Sequence, residues 1–267
     1  MEKAIAFLKK DYKQEVSYRL SFLMQFFNIF FTVTIFFFVS KLFGRSISTH
    51  LADYGGNYFS FVLIGIAFAG FLGTGLRTFS ATISSQQAQG TLESILVTPT
   101  KLSSLVTLSS LWSFLFTAFS VFVYLLFGVL VFGLDLSKAN VAVALIILFQ
   151  TILIFSGIGI ISASFIMVLK RGDPINWLFG SVSSLIGGTF FPVTIFPVWV
   201  QKFSYAVPLF YTLRAMRHAV LQGYSFGALF PDIIVLAIFS AAIIPLSLIS
   251  FKWAVKRAKI EGSLVTY

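Results

Sequence analysis

The chain has 267 residues, of which 58% are hydrophobic and only 10% charged. Soluble domains carry about 25% charged residues, so a water-exposed globular surface is excluded, as is a disordered chain, which needs low hydrophobicity. The lack of cysteine excludes a disulfide scaffold and a thiolate zinc site, and the net charge of +10 is explained by basic loops against anionic headgroups rather than by nucleic acid.

Residues 1–19 are charged throughout and unlike a secretory signal. Ile5, Leu8, Tyr12 and Val16 recur at helical spacing, which predicts an amphipathic helix lying in the membrane interface. A membrane-spanning helix takes about 20 mostly apolar residues. Such runs recur at 20–40, 54–76, 102–134, 139–169, 174–201 and 233–251, which predicts six spans. Between the second and third lies a stretch at 77–101, rich in Ser, Gln and Thr, that ends in GTLESILVTP. Thr91 is placed to cap a short helix, Leu92, Ile95 and Leu96 make a small apolar face, Glu93 is the one acidic group, and Pro99 stops the turn. A short polar helix with an apolar edge suits docking of a cytosolic partner.

At about 1.5 Å per residue the third run would reach roughly 50 Å, so it begins outside the bilayer or tilts. The fifth contains Gly187, Gly188, Pro192 and Pro197, and its helix is expected to end near Phe190 or Phe191. The stretch from Phe190 to Arg217 and on to Tyr224 is too apolar for a solvated loop, yet Pro192, Pro197 and Pro208 break any continuous span. Two short helices dipping back into the membrane, at 198–206 and 209–222, satisfy both constraints. Trp199, Tyr205, Tyr211 and Tyr224 suit an interface belt, and Arg214 and Arg217 could contact headgroups or an anionic substrate.

With six spans both termini share one side. That side holds thirteen of the nineteen Lys and Arg residues, so both termini are expected in the cytoplasm. No ionisable residue falls mid-span; Asp232 stands at the start of the sixth run, and Asn28 and Gln150 are the strongest interior polar groups. Carriers coupled to protons or sodium need intramembrane charge, so an ATP-driven mechanism fits better. The chain has no G-x-x-x-x-G-K-[ST] loop and only two histidines, His50 and His218, which leaves it without ATPase or catalytic signatures. Glycines at 65, 70, 73 and 75 and at 157 and 159 predict close helix packing.

GTLESILVTP after the second span and FPVTIFPVWVQKFSYAVPLFYTLRAMR after the fifth resemble the permeases of type-2 ABC transporters (ABC-2). The likeness covers nearly the whole chain, with one departure: Gln89 stands before Gly90 where many relatives carry a charge. It implies an all-α integral membrane subunit, a single transmembrane domain over 1–267, with an interfacial helix at 1–19, a cytoplasmic coupling region at 77–101 and an extracellular re-entrant region at 192–229. It further implies a homodimer in the plasma membrane on two copies of an ATP-binding subunit. That subunit would bind ATP and Mg, the permease carrying no cofactor. Gly90, Thr91, Leu92, Glu93, Leu96 and Pro99 would dock the ATPase. Asn28, Gln150, Phe191, Trp199, Tyr205, Tyr211 and Arg214 are candidates for a substrate path or outer gate. The cargo would be an amphiphile exported outward: a drug, a lipid or a lipid-linked glycan. A secondary carrier or channel without an ATPase, and a membrane scaffold, are the competing readings.

Overall fold

The structure, a computed structural model, describes residues 19–88, 102–169 and 174–260. Within them the chain forms α1 (Arg19–Ile47), a 3-10 helix (Ser48–Tyr54), α2 (Tyr58–Ala88), α3 (Leu102–Leu130), α4 (Val141–Leu169) and α5 (Pro174–Ile186). A 3-10 turn (Val193–Ile195), α6 (Val198–Ser204), α7 (Pro208–Leu221) and α8 (Phe226–Ile260) complete the order. No strand occurs among the described residues, so this is an all-α membrane protein. The interfacial helix expected at 1–19 falls outside them except for Arg19, which opens α1. The docking residues Gly90, Thr91, Leu92, Glu93, Leu96 and Pro99 also lie outside the described residues.

Five helices are long and apolar enough to cross a membrane, through Phe22–Leu42, Tyr58–Ser85, Ser110–Leu130, Val141–Leu169 and Phe226–Ala258. They occupy five of the six predicted runs, with shifted ends. α2 continues well past Leu76, so 77–88 is helix rather than polar loop. One charge at Arg77 does not end a helix whose buried side carries on through Phe79, Ser80 and Ile83. α3 stops at Leu130, not Leu134, because the chain turns at Gly133 with φ +70° and the Leu134 amide closes on Gly128 O at 2.8 Å. α8 starts earlier and ends later than 233–251, with Pro231 and Pro245 inside it.

Contacts fix the directions of the helices. α1 runs parallel to α3: Gln25 Nε2 donates to Ser120 Oγ at 2.9 Å, Phe30 meets Phe127, and Phe37 meets Phe132 at a centroid separation of 4.8 Å. α2 and α3 are antiparallel, with the Thr74 and Thr117 hydroxyls 2.6 Å apart and Gly128 against Leu63. α4 and α8 are parallel: Gln150 bonds Ile233 O and Gly157 abuts Ile243. Their starts lie together, since Asn140 Nδ2 donates to Tyr224 O. We call this the upper end of the bundle; the 3-10 helix and the start of α2 belong to it, since Gln222 Nε2 donates to Asp53 O at 2.8 Å.

Two parallel helices that start at one end require the chain between them to cross back. Residues 170–225 make that crossing in pieces rather than as the single span expected at 174–201. α5 rises along α2, with Gly180 against Leu76 and the Thr189 carbonyl against Gly65. Its 13 residues cover about 20 Å, less than the roughly 30 Å of a bilayer core. The helix ends at Ile186, before the expected Phe190, because Gly187 and Gly188, not Pro192, break it; Gly188 has φ +84°. Phe190 stacks on Phe36, near the upper end, where the neighbouring Phe37 meets Phe59 in the first turn of α2. By Leu209 the chain has come back down against Gly187. α7 then climbs to the upper end, its Thr212 hydroxyl 3.2 Å from that of Thr151 and its Ala219 carbonyl accepting from Asn140 N. The two short helices predicted at 198–206 and 209–222 are α6 and α7.

α2 is the central element. Of its apolar span 67% is buried, against 11% for α1. Phe61, Leu63, Ile64, Phe71, Leu72 and Leu76 are almost wholly inaccessible. Asn57 starts the helix by accepting from the Phe59 amide at 2.9 Å and the Ser60 amide at 3.4 Å. Asn57→Ala removes that cap and is expected to destabilise the protein by about 1 kcal/mol, read as a fall in the thermal midpoint of the detergent-solubilised chain.

Candidate functional site

The predicted path residues do not converge. Asn28 lies on the exposed face of α1, away from the interior it was assigned. Gln150 lies between α4 and α8; its Nε2 donates to Ile233 O at 3.3 Å and its Oε1 is buried without a partner. It ties two helices together, as a polar group in an apolar bundle does. Phe191, Trp199 and Tyr205 are exposed on the re-entrant segment. Tyr211 is half-buried against Phe210 and Phe239.

Arg214 and Arg217 stand one turn apart on α7 and have different fates. Arg214 is ion-paired to Asp232 of α8 through Nε and a terminal nitrogen, and lies over the Phe210 and Tyr211 rings at 4.9 and 5.3 Å. Arg217 is 2% exposed. It donates to three main-chain carbonyls: Phe61 O at 3.1 Å, Gly188 O at 2.8 Å and Thr189 O at 3.2 Å. Its guanidinium lies over the Phe61 ring, 3.4 Å from the centroid. Arg217 is taken up by main-chain carbonyls, while Arg214 is paired to Asp232 with a third of its side chain still exposed. One sequence signal marks Arg217 as inward-facing: it shares a helical face with Phe210, Leu213 and Val220, all buried.

Above Arg217 the upper end is closed by a ring stack, with His218 between Tyr54 and Tyr224 at 5.1 and 4.9 Å. The Gln222 amide nitrogen donates to Asp53 O, so its oxygen accepts from His218 Nδ1 at 2.7 Å. Burial raises the pKa of the Tyr54 phenol, partly opposed by Arg217, and the ring presents a neutral face to that cation.

A concave feature lies elsewhere among the described residues. A groove of about 450 Å³ opens between α2 and α5, lined by Gly73, Leu76 and Arg77 on one wall and by Trp177, Gly180 and Ser184 on the other. Small-molecule sites run from about 300 to 1,000 Å³. Its width depends on glycine: a Cβ on Gly73 would meet nothing within 4 Å, so that face is open space. Hydroxyls from Ser181 and Ser184 and the exposed Arg77 guanidinium make the slot as polar as it is apolar and give it a cationic lower end. None of the path residues chosen from sequence lines it.

A family model described as "ABC-2 type transporter" matches residues 5–221. The chain belongs to the ABC-2 type transporter family. No curated protein matches it. The family match covers α1 to α7, so the groove and both arginines lie within the ABC-2 region. As an ABC-2 chain it is a transmembrane subunit of a transporter, a permease component of the kind that works with ATP-binding subunits.

Proposed function

We propose that this ABC-2 chain is the permease half of an ATP-driven exporter that moves an amphiphile outward across the plasma membrane. One observation carries the reading: α2 forms a wall of the groove and runs directly into 89–101, the segment holding Gly90, Thr91, Leu92, Glu93, Leu96 and Pro99. A partner that pushes on that segment pushes on the groove. The lower end is then cytoplasmic, with both termini, and the ring stack at the upper end faces outside. Trp177 offers apolar surface and Arg77 a cation, which suits an amphiphile such as a drug, a lipid or a lipid-linked glycan. Among the described lining residues the one ionisable group is Arg77, and a guanidinium does not cycle a proton. This favours ATP over an ion gradient as the energy source.

Two copies would meet through the outward faces of α5 and α6, where Trp177, Leu185, Val198, Trp199 and Phe203 are exposed. ATP and Mg would be bound by two copies of the partner subunit. The test is Leu92→Asp combined with Glu93→Arg in the chain coexpressed with its ATP-binding subunit. Loss of a docking hot spot of about 2 kcal/mol weakens association roughly 30-fold, so co-purification and ATPase-driven transport are both expected to fall by that order. Unchanged transport, or ion-gradient-driven flux in liposomes holding this chain alone, would overturn the reading.

A further inference from the structure

We propose that Arg217 is a positioning residue that makes α2 and the re-entrant segment move as one body, so that the lower-end push reaches the upper end; this rests on the ATP-driven reading above. A cation inside a membrane bundle is costly, and is kept where it has work to do. No carboxylate among the described residues balances Arg217. Its bonds go instead to a carbonyl of α2, Phe61 O, and to two carbonyls just past α5, Gly188 O and Thr189 O. One guanidinium therefore belongs to three elements at once: α7, α2 and the break that ends α5.

The surroundings are cut to fit that contact. A Cβ on Gly65 would run into the Thr189 carbonyl and come within 2.5 Å of an Arg217 terminal nitrogen. Glycine at 65 is what lets the α2 backbone touch both. Gly188 holds φ +84°, turning its carbonyl to the guanidinium. The planar fork sets all three bonds together, and they weaken steeply once stretched. The clasp therefore resists small displacements and holds α2 and the re-entrant segment at one spacing. Beside it the Thr189 hydroxyl is buried without a hydrogen-bond partner among the described residues.

A cysteine-free chain allows a clean reporter. A bimane attached through Lys202→Cys, exposed on α6, senses the re-entrant segment in the complex with the ATP-binding subunit in nanodiscs. Trapping with ATP and vanadate is expected to shift bimane emission in the otherwise unaltered complex. In Arg217→Met, and separately in Gly65→Ala, ATP hydrolysis persists but the shift is at least about fivefold smaller, the lower range of coupling between sites. Gly65→Ala opens the clasp from the α2 side and leaves the arginine in place. A shift that survives both substitutions overturns the inference, as does a parent complex that hydrolyses ATP without any shift. Failure of both variants to assemble overturns it too, because the contact would then be structural alone. A parent complex that hydrolyses no ATP removes the transport reading itself.

Discussion

Gly159→Ala is expected to destabilise the bundle by about 3 kcal/mol, the upper range for overpacking. Here α2 and α4 cross backbone to backbone. A Cβ on Gly159 would collide with the Gly75 carbonyl and lie 2.9 Å from Phe79 Cδ2. A Cβ on Gly75 would in turn lie 2.6 Å from Phe155 Cβ and 2.8 Å from the Phe155 carbonyl carbon. Side-chain rotation cannot relieve a clash with main chain, so the helices must separate, and the fully buried Ile154 and Phe155 lose their packing with them. The same substitution two residues earlier on α2 is the control. Gly73→Ala enters open space and removes a helix-interior glycine, so it should be neutral or stabilising by up to about 1 kcal/mol. Heating the solubilised protein and following loss of the monodisperse peak should place Gly159→Ala roughly 10 °C below the parent. Equal shifts for the two variants would mean that the crossing is not held by glycine contact.

Gly75 and Gly159 were legible as packing sites from sequence, whereas Gly73, read the same way, faces open space; most of the architecture was legible too. Long apolar runs without charge are most simply satisfied as spanning helices, which located α1 to α4 and α8 but not the broken run at 174–201. Prolines at 192, 197 and 208 located the two short helices α6 and α7 within a residue or two. The errors lie where two residue types competed to end a helix. Proline was given the end of α5, but the Gly187-Gly188 pair gets there first. Arg77 was given the end of α2, yet a long basic side chain can reach polar surroundings from within a helix.

The site was much less legible. Groove walls made of Gly73, Gly180, Ser181 and Ser184 carry the same residue types as a tight helix interface, and composition alone does not separate the two. The aromatic residues chosen for the path were selected by chemistry, but exposure on α6 and on the segment before it depends on which face that short helix presents. Asn28 was read as interior because it is polar within an apolar run. It lies on the outer side of a helix held by Phe30, Phe37 and Gln25 to its neighbours.

The arginines of α7 provide the second large effect, and the difference between its two arms is diagnostic. In the Arg214–Asp232 pair the side chains are 34% and 9% exposed. Breaking a buried pair leaves the survivor desolvated and uncompensated, at about 3–5 kcal/mol when both groups are fully buried. Partial exposure lowers that figure unequally. Asp232→Asn leaves Arg214 with a third of its surface in contact with the surroundings and with the Phe210 and Tyr211 rings beneath it. Those rings retain part of its stabilisation, so the expected loss is about 1.5 kcal/mol after solvent screening. Arg214→Gln leaves a carboxylate with almost no exposure, and the loss should approach about 3 kcal/mol. Replacing both, with Arg214→Met and Asp232→Leu, removes the uncompensated charge and should recover most of the parent stability. The thermal midpoints of the parent, the two single variants and the double replacement set the order. If Asp232→Asn is the more damaging single change, or if the double variant is the least stable of the set, the pair does not hold α7 against α8 in the way its geometry indicates.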